Sequence, residues 1–420
     1  MTRGRPRKAL PTLIACAVLA ACGGDGSGGD ADEEARLEER AREIHQRVLT
    51  IDTHDDIPFD FATPEVDPLN ADRQVNLEKM RAGGLDVGFF IVYVGQTERT
   101  PENYERAKAD ALTKFDAIHR MTDEMYPDLI GLAYTAADVE RIHDEGRLVA
   151  AIGIENGYVI GKDLSLLETY HDLGARYITL AHNGNNDIAD SAQPDEENGD
   201  TPGENGGISE FGEQVIAEMN RLGIMVDVSH ISKEASLDAM RLSRAPVIAS
   251  HSSTYALADH PRNMDDEQLL ALRDNGGVMQ TVAFGSYVKA PSIEEEAAMA
   301  ELRERLGIEG FSSMTDGQRQ AFREGRREIR TRFPEPNVAD FVDHIDYAVD
   351  LIGMDHVGIS SDFDGGGGVE GWNDASETLN VTVELVRRGY TEDEIGKLWG
   401  ANTLRVWRAV EDLAAELQGR

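Results

Sequence analysis

The chain has 420 residues, 40% of them hydrophobic, enough for a sizeable core in one α/β barrel with insertions or in two smaller domains. Its 78 acidic residues against 41 basic ones give a net charge of -37, a surface that repels polyanions and excludes nucleic acid as a partner. No internal stretch is long and apolar enough to span a bilayer.

The beginning of the chain differs in composition from the rest. Arg3, Arg5, Arg7 and Lys8 form a basic start, an apolar run covers 9–21, and small residues lead to Cys22, the layout of a secretory signal over residues 1–21. The string Leu19-Ala20-Ala21-Cys22 resembles the bacterial lipobox, in which the cysteine is lipidated and becomes the first mature residue. Cys16 leaves with the signal, so the mature chain is expected to have no intrachain disulfide. Residues 22–40 read as a lipidated, disordered tether, because Gly, Asp and Glu dominate from Gly23 to Glu34 and bury nothing. The expected address is the bacterial cell envelope, reached as an exported lipoprotein with the lipid as its sole membrane contact. Gly23, where an Asp would resemble an inner-membrane retention signal, favours the outer membrane.

Residues 41–420 read as a single domain in which short β-rich segments alternate with amphipathic helical stretches. Eight such segments cover 48–53, 86–94, 148–154, 177–181, 224–229, 246–250, 277–282 and 356–361. The run Val87-Gly88-Phe89-Phe90-Ile91-Val92-Tyr93-Val94 is nearly all apolar, as a strand buried on both faces should be. After Ser209, the residues Phe211, Val215, Ile216, Met219 and Leu222 recur at helical spacing, and Gly223 is placed to end the helix. Eight βα units predict a closed (β/α)8 TIM-type barrel. The Glu- and Arg-rich stretch over 291–336 breaks the rhythm and reads as a helical insertion between strands seven and eight, with a lid, a surface excursion or a dimer contact as its alternative roles.

Imidazoles and carboxylates fall at the ends of these segments. Asp52, His54, Asp55 and Asp56 close the first, Glu155 follows the third, His182 the fourth, His230 the fifth, His251 the sixth, and Asp362 with Asp364 the eighth. In a parallel barrel these ends converge on the face that carries active sites. Imidazole and carboxylate ligands suit zinc, and a His-x-Asp pair such as His54 and Asp56 aims alternate side chains at one ion. A lone histidine after a strand is more often a hydrogen-bonding group, but six such positions on one edge outweigh that reading. His45, His119, His143, His171, His344 and His356 lack the placement and read as structural, while His260, close to the Arg262 motif, stays ambiguous.

The strings Asp52-Thr53-His54-Asp55-Asp56-Ile57-Pro58, Asp227-Val228-Ser229-His230, Ser250-His251-Ser252-Ser253, Arg262-Asn263 and Ser361-Asp362-Phe363-Asp364-Gly365 occur in this order. Together they resemble the motif set of the membrane (renal) dipeptidases, over about 48–410. The resemblance implies a zinc-dependent hydrolase that cleaves small dipeptides with a metal-bridging hydroxide. It implies two zinc ions: His54 and Asp56 on one, His230 and His251 on the other, and Glu155 bridging both. It gives His182 and Arg262 substrate contacts, with His182 toward the oxyanion. It places Asp362 near the substrate amine and the bridging water, so that Glu155, His182 and Asp362 form the catalytic set. The loop after His182 is only loosely family-like, which leaves the substrate range open, and homodimer formation is left open as well.

Two other readings compete. One is an amidohydrolase acting on another small amide, lactam or N-acyl amino acid; the lack of a Lys at the end of the fourth segment argues against a carbamylated-lysine version of it. The other is a non-catalytic envelope lipoprotein that keeps the fold for binding.

Overall fold

A computed structural model describes residues 27–308 and 316–420. The expected signal peptide, Cys16 and the lipidation site Cys22 lie outside the described residues.

Among the described residues nine parallel strands form one sheet: β1 Ile51–Asp56, β2 Val87–Tyr93, β3 Ile130–Leu132, β4 Leu148–Glu155, β5 Ala175–Thr179, β6 Met225–Asp227, β7 Ile248–Ser252, β8 Val278–Val282 and β9 Val357–Ser360. Eight of them run in the order β1-β2-β4-β5-β6-β7-β8-β9, with helices between most successive strands. The ends of this path meet where the Asp56 amide donates to the Phe363 carbonyl at 2.9 Å and the Ser361 amide donates to Asp52 Oδ1 at 2.9 Å. The architecture is the expected (β/α)8 TIM-type barrel. Every residue of β2 except Tyr93 is buried, and its side chains alternate between two cores. Phe89 and Ile91 face the barrel interior, whereas Phe90 and Val92 face the helices.

The interior is filled by Ile51, Phe89, Val149, Tyr177, Met225 and Ile248 together with Leu404, Trp407 and Val410 of the C-terminal helix Asn402–Leu417. That helix closes the amino-terminal mouth: Asn402 Nδ2 donates to the Val357 carbonyl at 2.8 Å and Arg405 Nη1 to the Gly276 carbonyl at 2.7 Å, both at strand starts. The opposite mouth is left to the functional loops.

Helix Glu210–Leu222 follows its sequence signals. The Ser209 side chain accepts from the Gly212 amide, Val215, Ile216 and Met219 are buried, and Gly223 ends the helix in the left-handed region at φ 92°. Helices Ile293–Leu306 and Asp316–Arg330 occupy the expected insertion, ahead of the last strand.

Three features differ from the sequence reading. First, β3 is an additional strand that pairs Ile130 with Leu148 beside the start of β4, while β5 takes the same edge of β4 from Ile152 onward. Second, a helix Ser27–His45 runs through most of the stretch expected to be a disordered tether over 22–40. Its Ala41 and Ile44 are buried and Leu37 packs beside them, so a sparse apolar stripe docks an otherwise charged helix. Third, β1, β4 and β7 end later than expected, so that His54, Asp56, Glu155 and His251 lie within strands rather than after them.

Candidate metal centre

Seven ionisable side chains, on or just after β1, β4, β5, β6, β7 and β9, converge at the open mouth. Nε2 of His54 lies 3.6 Å from Asp56 Oδ2 and 3.6 Å from Glu155 Oε2. The other carboxylate oxygen, Glu155 Oε1, lies 3.0 Å from His230 Nε2, 3.4 Å from His251 Nε2 and 3.5 Å from His182 Nε2. Asp362 joins His54 and Asp56 in a group whose ligand atoms all lie within 4.8 Å of one another. Among the described residues these are the groups able to hold a metal ion, and none of His45, His119, His143, His171, His344 or His356 takes part.

Local irregularities aim these side chains. Between Asp52 and Asp55 the register of β1 advances three residues against two on β2, and between Ala249 and Ser252 that of β7 does the same against β8. Each bulge contains a site histidine, His54 or His251, and a bulge turns a side chain out of the regular pleat. His230 (φ 69°) and Asp362 (φ 57°) adopt the left-handed region, and so does Asn156 (φ 82°), directly after Glu155. Backbone cost of this kind persists where the surroundings hold the geometry. For Asn156 they do: its Oδ1 accepts from the Tyr158 amide at 3.1 Å and its Nδ2 donates to the Val94 carbonyl at 3.2 Å.

Hydrogen bonds around the histidines decide which nitrogen is free. Tyr177 donates its hydroxyl proton to the Thr53 carbonyl at 2.9 Å, so at 3.0 Å it accepts from Nδ1–H of His54. Nε2 of His54 then carries the free lone pair, and among the described residues it is buried with no hydrogen-bond partner. His251 follows the same logic. Ser250 Oγ donates to Asp227 Oδ2 at 2.7 Å and accepts from His251 Nδ1–H at 2.8 Å, which leaves Nε2 facing Glu155 and, at 2.8 Å, Nε2 of His230. An orphaned nitrogen and lone pairs converging on one carboxylate are the donor set of a cation site, and the outer partners Tyr177 and Ser250–Asp227 are of the kind that orient metal-binding imidazoles.

The electrostatics agree. Burial alone would raise Glu155, but His182, His54, His230 and His251 hold its carboxyl well below the usual range. His230 and His251 are pushed well below the ordinary imidazole value by burial, with Arg262 acting in the same direction, so both are neutral donors near pH 7. Burial opposes a charge on His54, yet Glu155 and Asp56 outweigh it and raise the group well above the ordinary value, so a proton and a cation compete for Nε2. Burial raises the Asp362 carboxyl well above the usual range, reinforced by Asp56 and Glu155.

Arg262 is 3% exposed, donates from Nη2 to the His251 carbonyl at 3.2 Å and leaves Nε without a partner. Its guanidinium lies 5.4 Å from the centre of the Tyr287 ring, and among the described residues no carboxylate comes within ion-pair distance of it. Such a buried cation suits an incoming carboxylate. His182 packs its ring 4.1 Å from that of His230 and 4.7 Å from that of Tyr93.

Other acidic strand-end residues serve the scaffold. Asp52 ties the barrel seam, and Asp364 accepts from the amides of Gln74 and Val75 at 3.0 and 3.1 Å. Asp55 is fully buried facing Gly88, away from the cluster. His260 packs 4.4 Å from the Tyr287 ring, and burial with Arg262 pushes it down to about 4. Tyr177, Asp227 and Asn156 went unnoticed in the sequence, although Asp227 stands inside the quoted Asp227-Val228-Ser229-His230 string.

The sequence profile of the family described as membrane dipeptidase (peptidase family M19) matches residues 38–420. The dipeptidase aclJ of Aspergillus oryzae is 35% identical over 351 residues, 82% of this chain and 72% of that protein. The crystal structure of the probable dipeptidase PvdM from Pseudomonas aeruginosa superposes with a TM-score of 0.81 at 34% identity, covering 90% of this chain and 100% of that one. A dipeptidase of family M19, also known from its crystal structure, gives 0.68 at 25% identity over 86% and 98%.

Proposed function

The chain belongs to the membrane dipeptidase family, peptidase family M19, a family of peptide-bond hydrolases, and from that premise we propose that it hydrolyses dipeptides with two zinc ions held at the barrel mouth. The observation that carries the two-ion reading is the division of Glu155 between its oxygens. Oε2 faces His54, which also faces Asp56, and Oε1 faces His230 and His251. His54 and Asp56 would hold one ion, His230 and His251 the other, and Glu155 would bridge them. Zinc bound there supplies an acidified water and polarises the scissile carbonyl.

The remaining steps fall to the chain's own side chains. Arg262, buried and without a carboxylate partner, binds the substrate's terminal carboxylate. Asp362 accepts from the free α-amine and, as a carboxylate, takes a proton from the attacking water and returns it to the leaving nitrogen. His182 donates from Nε2 to the developing oxyanion. Contacts at both termini confine the substrate to two residues.

The test is metal analysis joined to a panel of L-L and L-D dipeptides. Two zinc ions per chain and cleavage are expected, with both lost in Glu155→Ala and hydrolysis abolished in His230→Ala. Failure to cleave any dipeptide refutes the activity, and a single ion per active chain refutes the two-ion site. We further propose that the protein is an exported lipoprotein of the bacterial cell envelope, at the outer membrane, on the strength of Leu19-Ala20-Ala21-Cys22. Mass spectrometry of the mature amino terminus tests this, and an unmodified Cys22 refutes it.

A further inference from the structure

Lys114 is buried, 3% exposed, on the helix Pro101–His119. It shares the inward stripe of that helix with Ala107, Ala111, Phe115 and Ile118, positions where lysine is costly unless its charge is used. Its ammonium is 5.0 Å from the centre of the Phe59 ring and 5.7 Å from that of Tyr93. Among the described residues it has no hydrogen-bond acceptor and no carboxylate at ion-pair distance. Burial lowers its pKa, and the carboxylates of Asp56 and Glu155, acting from farther off, partly restore it. Tyr93 links it to the centre, since the same ring lies 4.7 Å from that of His182.

The position of this cation is informative. In the order β1-β2-β4-β5-β6-β7-β8-β9, β2 is second and β7 is sixth of eight, so the two stand on opposite sides of the barrel. Tyr93 ends β2 and Arg262 follows β7, which places the two buried, carboxylate-free cations across the mouth from each other with the metal centre between them. Asp362, which follows β9, lies on the side where β9 meets β1, next to β2.

Resting on the dipeptidase reading above, we propose that Lys114 recognises an acidic side chain on the amino-terminal residue of the substrate, so that the enzyme prefers dipeptides beginning with Glu or Asp. With the terminal carboxylate on Arg262 and the amine at Asp362, the first residue's side chain is the part directed toward Phe59, Tyr93 and Lys114. A carboxylate arriving there supplies the acceptor that the ammonium lacks, at a lysine that is itself buried.

The experiment compares kcat/KM of the zinc-loaded protein for Glu-Ala and Gln-Ala, which differ by the charge, and for Ala-Glu and Ala-Gln as the control at the other position. Glu-Ala is expected to exceed Gln-Ala by about tenfold or more, mainly through KM, as one buried charge-assisted hydrogen bond would produce, with little difference in the control pair. Lys114→Gln should bring the first ratio close to one, Lys114→Arg should keep it, and Lys114→Glu should favour Lys-Ala over Gln-Ala. A ratio of one or less in the unmodified protein overturns the proposal without any variant, and so does a ratio that Lys114→Gln leaves unchanged. Cleavage of Gln-Ala with no preference for Glu-Ala refutes this specificity alone, whereas no cleavage of any dipeptide refutes the dipeptidase activity as well.

Discussion

The hydroxyl of Tyr177 stands 3.0 Å from Nδ1 of His54, and its own proton is committed to the Thr53 carbonyl at 2.9 Å. The contact turns a residue of the barrel core into the group that selects a tautomer at the metal centre. The tyrosine ring can lie there because β4 carries Gly153 beneath it, where an added Cβ would come within 2.2 Å of the ring.

Tyr177→Phe keeps the ring and removes the acceptor. Nδ1–H of His54 then has no partner, the imidazole can rotate or change tautomer, and affinity at the His54–Asp56 side should fall about 10- to 100-fold. Competition with a chelator, read as metal retained per chain, measures it. Unchanged retention in a folded variant would show that the tyrosine does not orient the ligand.

Asp227→Asn tests the second relay. The carboxylate accepts from Thr179 Oγ1 at 2.5 Å, Ser250 Oγ at 2.7 Å, the Ser250 amide at 2.9 Å and the Ser229 amide at 3.0 Å. An amide there offers one accepting oxygen and two donors, so the Ser250 hydroxyl turns its proton toward His251 Nδ1 and moves the imidazole proton to Nε2. The expected result is loss of the ion assigned to His230 and His251 in the proposed two-ion site, with the other retained. Metal content per chain gives the answer, and two ions in the variant would exclude the relay.

Gly365 is exposed, yet a Cβ on it would come within 2.3 Å of both Asp362 Oδ1 and Asp56 Oδ2. Gly365→Ala must therefore displace Asp56, a proposed metal ligand, and Asp362, the proposed partner of the substrate amine, together. A shift of about 1 Å in such a group lowers turnover about a hundredfold, while a surface substitution changes stability little. Steady-state kinetics with a thermal melt tests this, and full activity would mean that the two carboxylates tolerate displacement.

Much of the fold and of the site could be read from residue order because a parallel barrel brings strand ends together. His54, Glu155, His182, His230, His251 and Asp362 are scattered from position 54 to position 362 and still cluster. What stayed hidden depends on pairing rather than pattern. Two residues on β1 or β7 look the same in sequence whether or not a bulge lies between them, and β3 has three residues, too few for any periodic signal. Tyr177 and Lys114 look like an ordinary strand aromatic and an ordinary helical charge until the layer behind them is known. The helix Ser27–His45 was obscured by its acidic composition, since its docking depends on a few residues near its end.

That docking gives a pH-dependent stability that can be separated from the metal centre. His45 is buried. Its Nε2 lies 2.8 Å from the Gly83 carbonyl, which can only accept, so Nε2 carries the proton and Nδ1 accepts from Thr382 Oγ1 at 2.7 Å. Thr382 accepts in turn from Trp399 Nε1 at 2.9 Å. The ring must stay neutral for this chain of bonds to persist, and burial, opposed by the Gly83 carbonyl and by Asp86, lowers its pKa from the ordinary value. In the unfolded chain His45 takes up a proton near pH 6.5, whereas the folded protein resists it until lower pH. Between those limits the unfolded state binds more protons, so stability is full above about pH 6.5 and falls as the pH drops through the folded value. His45→Gln cannot titrate. It should be less stable than the unmodified protein at pH 7.5 by about 1–3 kcal/mol, because the chain of bonds is broken, and the gap should narrow at pH 5.5. Urea midpoints of both proteins at the two pH values test this; a gap that stays constant or widens on acidification would show that His45 is not the group whose protonation loosens the helix.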